Sequence, residues 1–153
     1  MTIQFITIHC SATPGSRDIG VKEITAMHLQ RGFRTIGYHY VIRRDGTVEA
    51  GRPENQQGAH VEGHNPDNLG ICLVGGVNQA MKSECNYTAA QYAALAELVK
   101  KLKAKHNVPD NAIKGHHDWF GDTNGDGKID SRDWLKDCPC FDVRTWFKGI
   151  NVK

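Results

Sequence analysis

Residues 69–74, LGICLV, constrain this chain more than any other stretch. They are a short, continuously apolar run closed by Gly75-Gly76. A strand that is apolar on both faces of its pleat must be covered on both, so the run predicts the centre of a sheet packed between helices. The neighbouring segments agree. Residues 3–9 alternate β-rich residues and predict a first strand that ends at His9, before a loop holding Ser11, Thr13, Pro14 and Gly15. Residues 38–43 and 47–50 flank Arg44-Asp45-Gly46, and an Asp-Gly pair tolerates the positive φ of a tight turn, so they predict a hairpin. Residues 112–115 predict a short last strand.

Helical periods fill the gaps. Val21, Ile24 and Met27 recur at helical spacing and the pattern stops at Gly32. Thr88 with Gln91 is a capping box, followed by the apolar stripe Tyr92, Leu95, Leu98, Val99 and Leu102. Lys100, Lys101, Lys103 and Lys105 crowd the end of that helix, where cations meet the negative end of its dipole; they read as a solvated helix end. Asp142 predicts the cap of a final helix running through Trp146. Strands interleaved with helices predict an α/β fold: a single domain over residues 1–153 with a mixed central β-sheet flanked by helices.

Charge and apolar runs narrow the partners. The 19 basic and 17 acidic residues leave a net charge of +2, too even for a nucleic-acid footprint. No stretch of 18 apolar residues suggests a membrane span, and the first ten residues alternate where a signal peptide would place a basic region and an apolar block. The expectation is a cytoplasmic location at synthesis. Five cysteines, odd in number and scattered, do not suit a disulfide framework. Cys10, Cys72 and Cys85 read as small buried apolar residues.

Three residues with the character of zinc ligands fall at the ends of predicted elements: His9 after the first strand, His116 after the last, and Cys138 before the final helix. Two imidazoles and one thiolate would leave zinc a fourth position open, as catalytic sites do. Their spacing matches no short zinc motif. His117 and Cys140 compete for the same roles, and His60 with His64 has the i, i+4 spacing of a helical metal pair, although Gly58, Gly63 and Pro66 predict a loop there.

The stretches IHCSAT (8–13), GYHY (37–40), RDGTVEAGR (44–52), CLVGG (72–76), His116-His117 and KDCP (136–139), in this order, resemble the phage lysozyme-type zinc amidases. These are N-acetylmuramoyl-L-alanine amidases, related in fold to the peptidoglycan recognition proteins. The resemblance implies hydrolysis of the amide between N-acetylmuramic acid and L-alanine, with peptidoglycan or a muropeptide as partner. It implies that His9, His116 and Cys138 bind zinc, that Tyr38 and Lys136 line the reacting centre, and that His60 reaches the substrate cleft. Lys136 and Cys138 are two apart, so in an extended segment both would face one side. Zinc, Lys136 and Tyr38 would then share the charge developing on a tetrahedral oxyanion. The alternative is a peptidoglycan-binding module without catalysis, against which Cys138, Tyr38 and Lys136 speak. With no signal peptide, the chain would act on the cell wall only after release, as an endolysin does.

Residues 120–135 are longer than the corresponding loop of the small phage enzymes. Within this insert, residues 122–133 set Asp122, Asn124, Asp126, Asp130 and Asp133 at loop positions 1, 3, 5, 9 and 12, with Gly127 at 6 and Ile129 at 8. Lys128 offers a backbone carbonyl at position 7. Hard oxygens at those positions suit calcium, in a structural role, and Asp133 stands where an EF-hand has glutamate.

Overall fold

A computed structural model describes residues 2–61, 63–119 and 138–151. The insert, with Asp122, Asn124, Asp126, Lys128, Asp130 and Asp133, lies outside the described residues, as does Lys136. In chain order the elements are β1 (Phe5–Cys10), β2 (Thr13–Pro14), α1 (Val21–Gln30), β3 (Tyr40–Ile42), β4 (Val48–Ala50), β5 (Asn68–Leu73), β6 (Gly76–Val77), α2 (Ala89–His106), β7 (Ile113–Gly115) and α3 (Val143–Asn151). Short 3-10 turns, Asp110–Ala112 and His116–Trp119, bracket β7.

The main sheet runs β4-β3-β5-β1-β7. Its centre is the apolar strand β5, all six residues of which are buried. β5 is parallel to β1 and β3, β1 is parallel to β7, and only the β3–β4 hairpin is antiparallel, so the sheet is mixed. Gly46 turns that hairpin at φ +90°, as its Asp-Gly pair requires.

Alternation along the strands divides the sheet into two unlike faces. Ile6 and Ile8 of β1 join Leu69, Ile71 and Leu73 of β5 against Leu95, Leu98, Val99 and Leu102 of α2 and Val143 and Phe147 of α3. On the other face, Ile24 of α1 packs with Val41 and Cys72. The intervening residues of β1, Thr7 and His9, stand in register with Gly70 and Cys72 of β5. All four are buried, and of them His9 lines a cleft on this face.

Caps follow the sequence closely. Thr88 accepts from the Gln91 N–H at 3.1 Å while the Gln91 side chain accepts from the Thr88 N–H at 3.0 Å. Asp142 accepts from the Thr145 N–H at 3.1 Å, starting a helix that extends past Trp146 to Asn151. One expectation is corrected. Cys85 is exposed, its sulfur 3.1 Å from the Tyr92 hydroxyl, and so is no core residue. His116 and His117 lie in a 3-10 turn directly after β7. Among the described residues, no helix is long and apolar enough to cross a membrane.

Candidate metal centre

The C-terminal end of β1 positions the first side chain. His9 is 1% exposed and points into the cleft because Ile8 and Cys10, its neighbours, take the other pleat. β7 lies beside β1 in parallel, so the turn leaving it delivers His116 to the same end of the sheet, with the two imidazole centroids 4.6 Å apart. Cys138 arrives from the segment before α3, where the Cys10 backbone N–H donates to its sulfur at 3.1 Å. The ligand atoms of His9, His116 and Cys138 all lie within 4.8 Å of one another. Bonds of about 2.0–2.3 Å put the ligand atoms of one zinc ion under about 4 Å apart, so slight contraction suffices. Two imidazoles and a thiol fit zinc in chemistry and in geometry.

The competing residues are turned elsewhere. The Cys140 thiol donates to the Gly76 carbonyl at 3.1 Å. His117 is buried with its Nε2 3.7 Å from an Asp118 oxygen. The hydrogen bond with Cys138, with burial added, pushes the Cys10 thiol up to about 12, and contact with Cys10 together with burial raises Cys140 as well. Both stay protonated near neutrality and do not compete as thiolates.

Tyr38 borders the cleft, its ring centroid 5.1 Å from that of His9 and 5.3 Å from that of His28. Burial is the main cause that holds its phenol well above the usual range, so the hydroxyl keeps its proton. The cleft has a volume of about 620 Å³, and Met27, Arg31, Phe33 and Asn65 line it beyond the three ligands.

His60 also lines the cleft, yet it is only 8% exposed and both ring nitrogens are engaged within the protein. Its Nδ1 is 2.9 Å from His9 Nε2, and its Nε2 is 2.8 Å from the Asn68 carbonyl oxygen. Burial pushes this imidazole down to about 3, which keeps it neutral. His64 is exposed and stacks on Trp119 with centroids 4.7 Å apart. Sequence reasoning missed the His60 link to His9 and the Cys10 N–H on Cys138, because both join segments far apart in the chain. The glycines Gly58 and Gly70 were the available signal: a Cβ at either would lie 2.6–2.7 Å from His60 ring atoms.

Comparison with known proteins gives four findings. The family model described as N-acetylmuramoyl-L-alanine amidase matches residues 1–133. An endolysin of Klebsiella phage KP32 is 40% identical over 143 residues, covering 94% of this chain and 84% of the relative. The solved structure of N-acetylmuramoyl-L-alanine amidase LysC from Clostridium intestinale URNW superposes with a TM-score of 0.75 at 29% identity, covering all of this chain and 88% of that one. Drosophila PGRP-LB, at 24% identity and TM-score 0.67 over 97% of this chain and 79% of that one, shares the fold.

Proposed function

Because the chain belongs to the N-acetylmuramoyl-L-alanine amidase family, we propose that it hydrolyses the amide between N-acetylmuramic acid and the L-alanine of the peptidoglycan stem peptide, with zinc held by His9, His116 and Cys138. The observation that carries this reading is the convergence of those three ligand atoms at the floor of a cleft on the polar face of the sheet. Zinc bound there would polarise the amide carbonyl and activate water.

The chain's own residues supply the rest. Tyr38, kept protonated by burial, donates from its hydroxyl to the scissile carbonyl oxygen as that oxygen gains charge. The Cys10 N–H holds the Cys138 sulfur in place and offsets part of its charge. Lys136, two residues before Cys138, supplies an ammonium to the same oxyanion, a role carried by the family resemblance. Arg31 and Asn65 at the cleft wall offer donors to the peptide carbonyls and carboxylates of the substrate. Calcium bound by the 122–133 loop would be structural, and a rise of melting temperature with calcium concentration tests it.

Action on the cell wall after release is part of the proposal, and the endolysin relatives support it. The deciding experiment digests purified muropeptide with the zinc-loaded protein and follows products by mass spectrometry. Free stem peptide and a peptide-free glycan are expected. Intact muropeptide after prolonged digestion, with binding retained, would convert the reading to a recognition module.

A further inference from the structure

His60 has both ring nitrogens engaged within the protein, and the fold is built tightly around it. It sits in the loop between β4 and β5, where Asn65 Oδ1 accepts from the backbone N–H groups of both His60 and Val61 at 2.8 Å. Gly70 on β5 and Gly58 leave the gap its ring fills, since a Cβ on Gly70 would lie 2.7–2.9 Å from three His60 ring atoms and one on Gly58 would lie 2.6 Å from Cδ2. Neither glycine has a positive φ, so the requirement is space and not backbone conformation. Asn68, whose carbonyl receives the ring, is anchored in turn: its side chain accepts from Thr7 Oγ1 at 2.7 Å and donates to the His64 carbonyl at 2.9 Å.

The hydrogen bonds fix where the protons are. A carbonyl oxygen only accepts, so His60 Nε2 carries the hydrogen and donates to Asn68. The neutral ring then presents a lone pair at Nδ1, and the only way to make the 2.9 Å contact is for His9 Nε2 to donate its hydrogen. A His9 ring protonated at Nε2 has its lone pair at Nδ1. We infer that His60 is a positioning residue that locks His9 into the Nε2–H tautomer and presents His9 Nδ1 to the metal, through the relay from the Asn68 carbonyl to His60 to His9. Metal-bound histidines commonly donate their other N–H to a carboxylate or carbonyl. Here a second imidazole takes that place and passes the orientation on to a backbone carbonyl in the central strand. A neutral acceptor leaves the His9 ring less electron-rich than a carboxylate would, and it adds no charge to a site that already holds a thiolate.

This inference rests on the zinc reading above, and its test separates the two. The probe is zinc itself, titrated against a chromophoric chelator of known affinity at fixed pH. His60→Phe keeps a ring between Gly58 and Gly70 but removes the acceptor, and should weaken zinc binding by about 10- to 100-fold. His60→Gln can accept at its carbonyl and donate from its amide, and should recover most of that loss. Nitrogen-15 spectra of the zinc-loaded parent should show His9 protonated at Nε2 and bound through Nδ1. If the parent takes up no zinc, the metal reading and this inference fall together. If the parent binds zinc but His60→Phe binds it equally well, or if His9 is bound through Nε2, only the inference falls. Should His60→Phe fail to fold, the glutamine variant and the parent spectrum decide.

Discussion

The two faces of the central sheet are made by alternate residues of the same strands and obey different rules. Ile6, Ile8, Leu69, Ile71 and Leu73 point to α2 and α3 and join the apolar cluster of the core, where volume is the main requirement. Thr7 and His9, one residue out of step, take the other face, where His9 and His60 line a cleft and buried Asn68 and Gly70 hold them by hydrogen bonds and close approach. The first face holds the fold together through area. The second depends on direction, so a change of one atom there should alter chemistry before it alters stability. That separation can be broken by experiment.

The largest expected effect is on the cleft face. Cys138→Ser replaces a thiolate with a neutral hydroxyl, a much poorer zinc ligand, and should cost more than about 10³-fold in muropeptide turnover together with the bound zinc. Denaturant unfolding of the zinc-free proteins should differ by less than about 0.5 kcal/mol. A large loss of zinc-free stability would show that the faces are not separable at this position. The converse is Leu95→Ala on α2, fully buried in the apolar cluster, which should cost about 2–5 kcal/mol of stability. The fraction that remains folded should bind zinc with parental stoichiometry; weakened zinc binding would mean that core packing sets the ligand geometry.

Tyr38→Phe comes next. It removes one hydroxyl from the cleft wall and should lower kcat by roughly 10²- to 10³-fold while zinc content and KM stay near parental values, the signature of a donor used only in the transition state. Parental turnover would remove Tyr38 from the mechanism.

The smallest effect lies at the rim of the apolar face. Glu54 accepts from the Tyr40 hydroxyl, is 2.6 Å from His106 Nε2 and pairs with Lys105 at 3.1 Å. Burial opposes its charge, but these three hydrogen bonds prevail and hold the carboxyl down at about 2. A depressed folded value means the stabilisation is present above about pH 4.5 and is lost as pH falls towards 2. Glu54→Gln should flatten acid unfolding in that window by roughly 1–2 kcal/mol, allowing for partial exposure. An unchanged acid slope would place the acid sensitivity elsewhere.

Much of this division was legible in the sequence. The LGICLV run placed the central strand, the alternation of residues 3–9 placed His9 on the pleat opposite Ile6 and Ile8, and Thr88 with Gln91 placed the start of α2. Local signals failed where distant packing decides. The last helix continues past Gly149 to Asn151, with Ile150 beyond the glycine packed against the core, a contact that outweighs the helix propensity of one glycine. Cys85 looks like any small apolar residue, and nothing nearby in sequence shows that it stays outside. The role of His60 could not be read at all from its loop, since the atom it serves is 51 residues away.

The parallel pairing of β1 has a further consequence, for the order in which a growing chain can become a working one. Ile6 finds its first neighbour in Leu69 and its second only in Ile113, so the N-terminal strand waits for β5 before one edge is paired and for β7, much later in the chain, before the other is. Cys138 arrives later still. A chain cut short between residues 116 and 138 would possess every described strand of the main sheet, with His9 and His116, yet it would lack Cys138, the third candidate ligand. Premature termination in that window would therefore remove the third candidate ligand and part of the apolar core together, so the cleft face and the core face are completed by the same last segment.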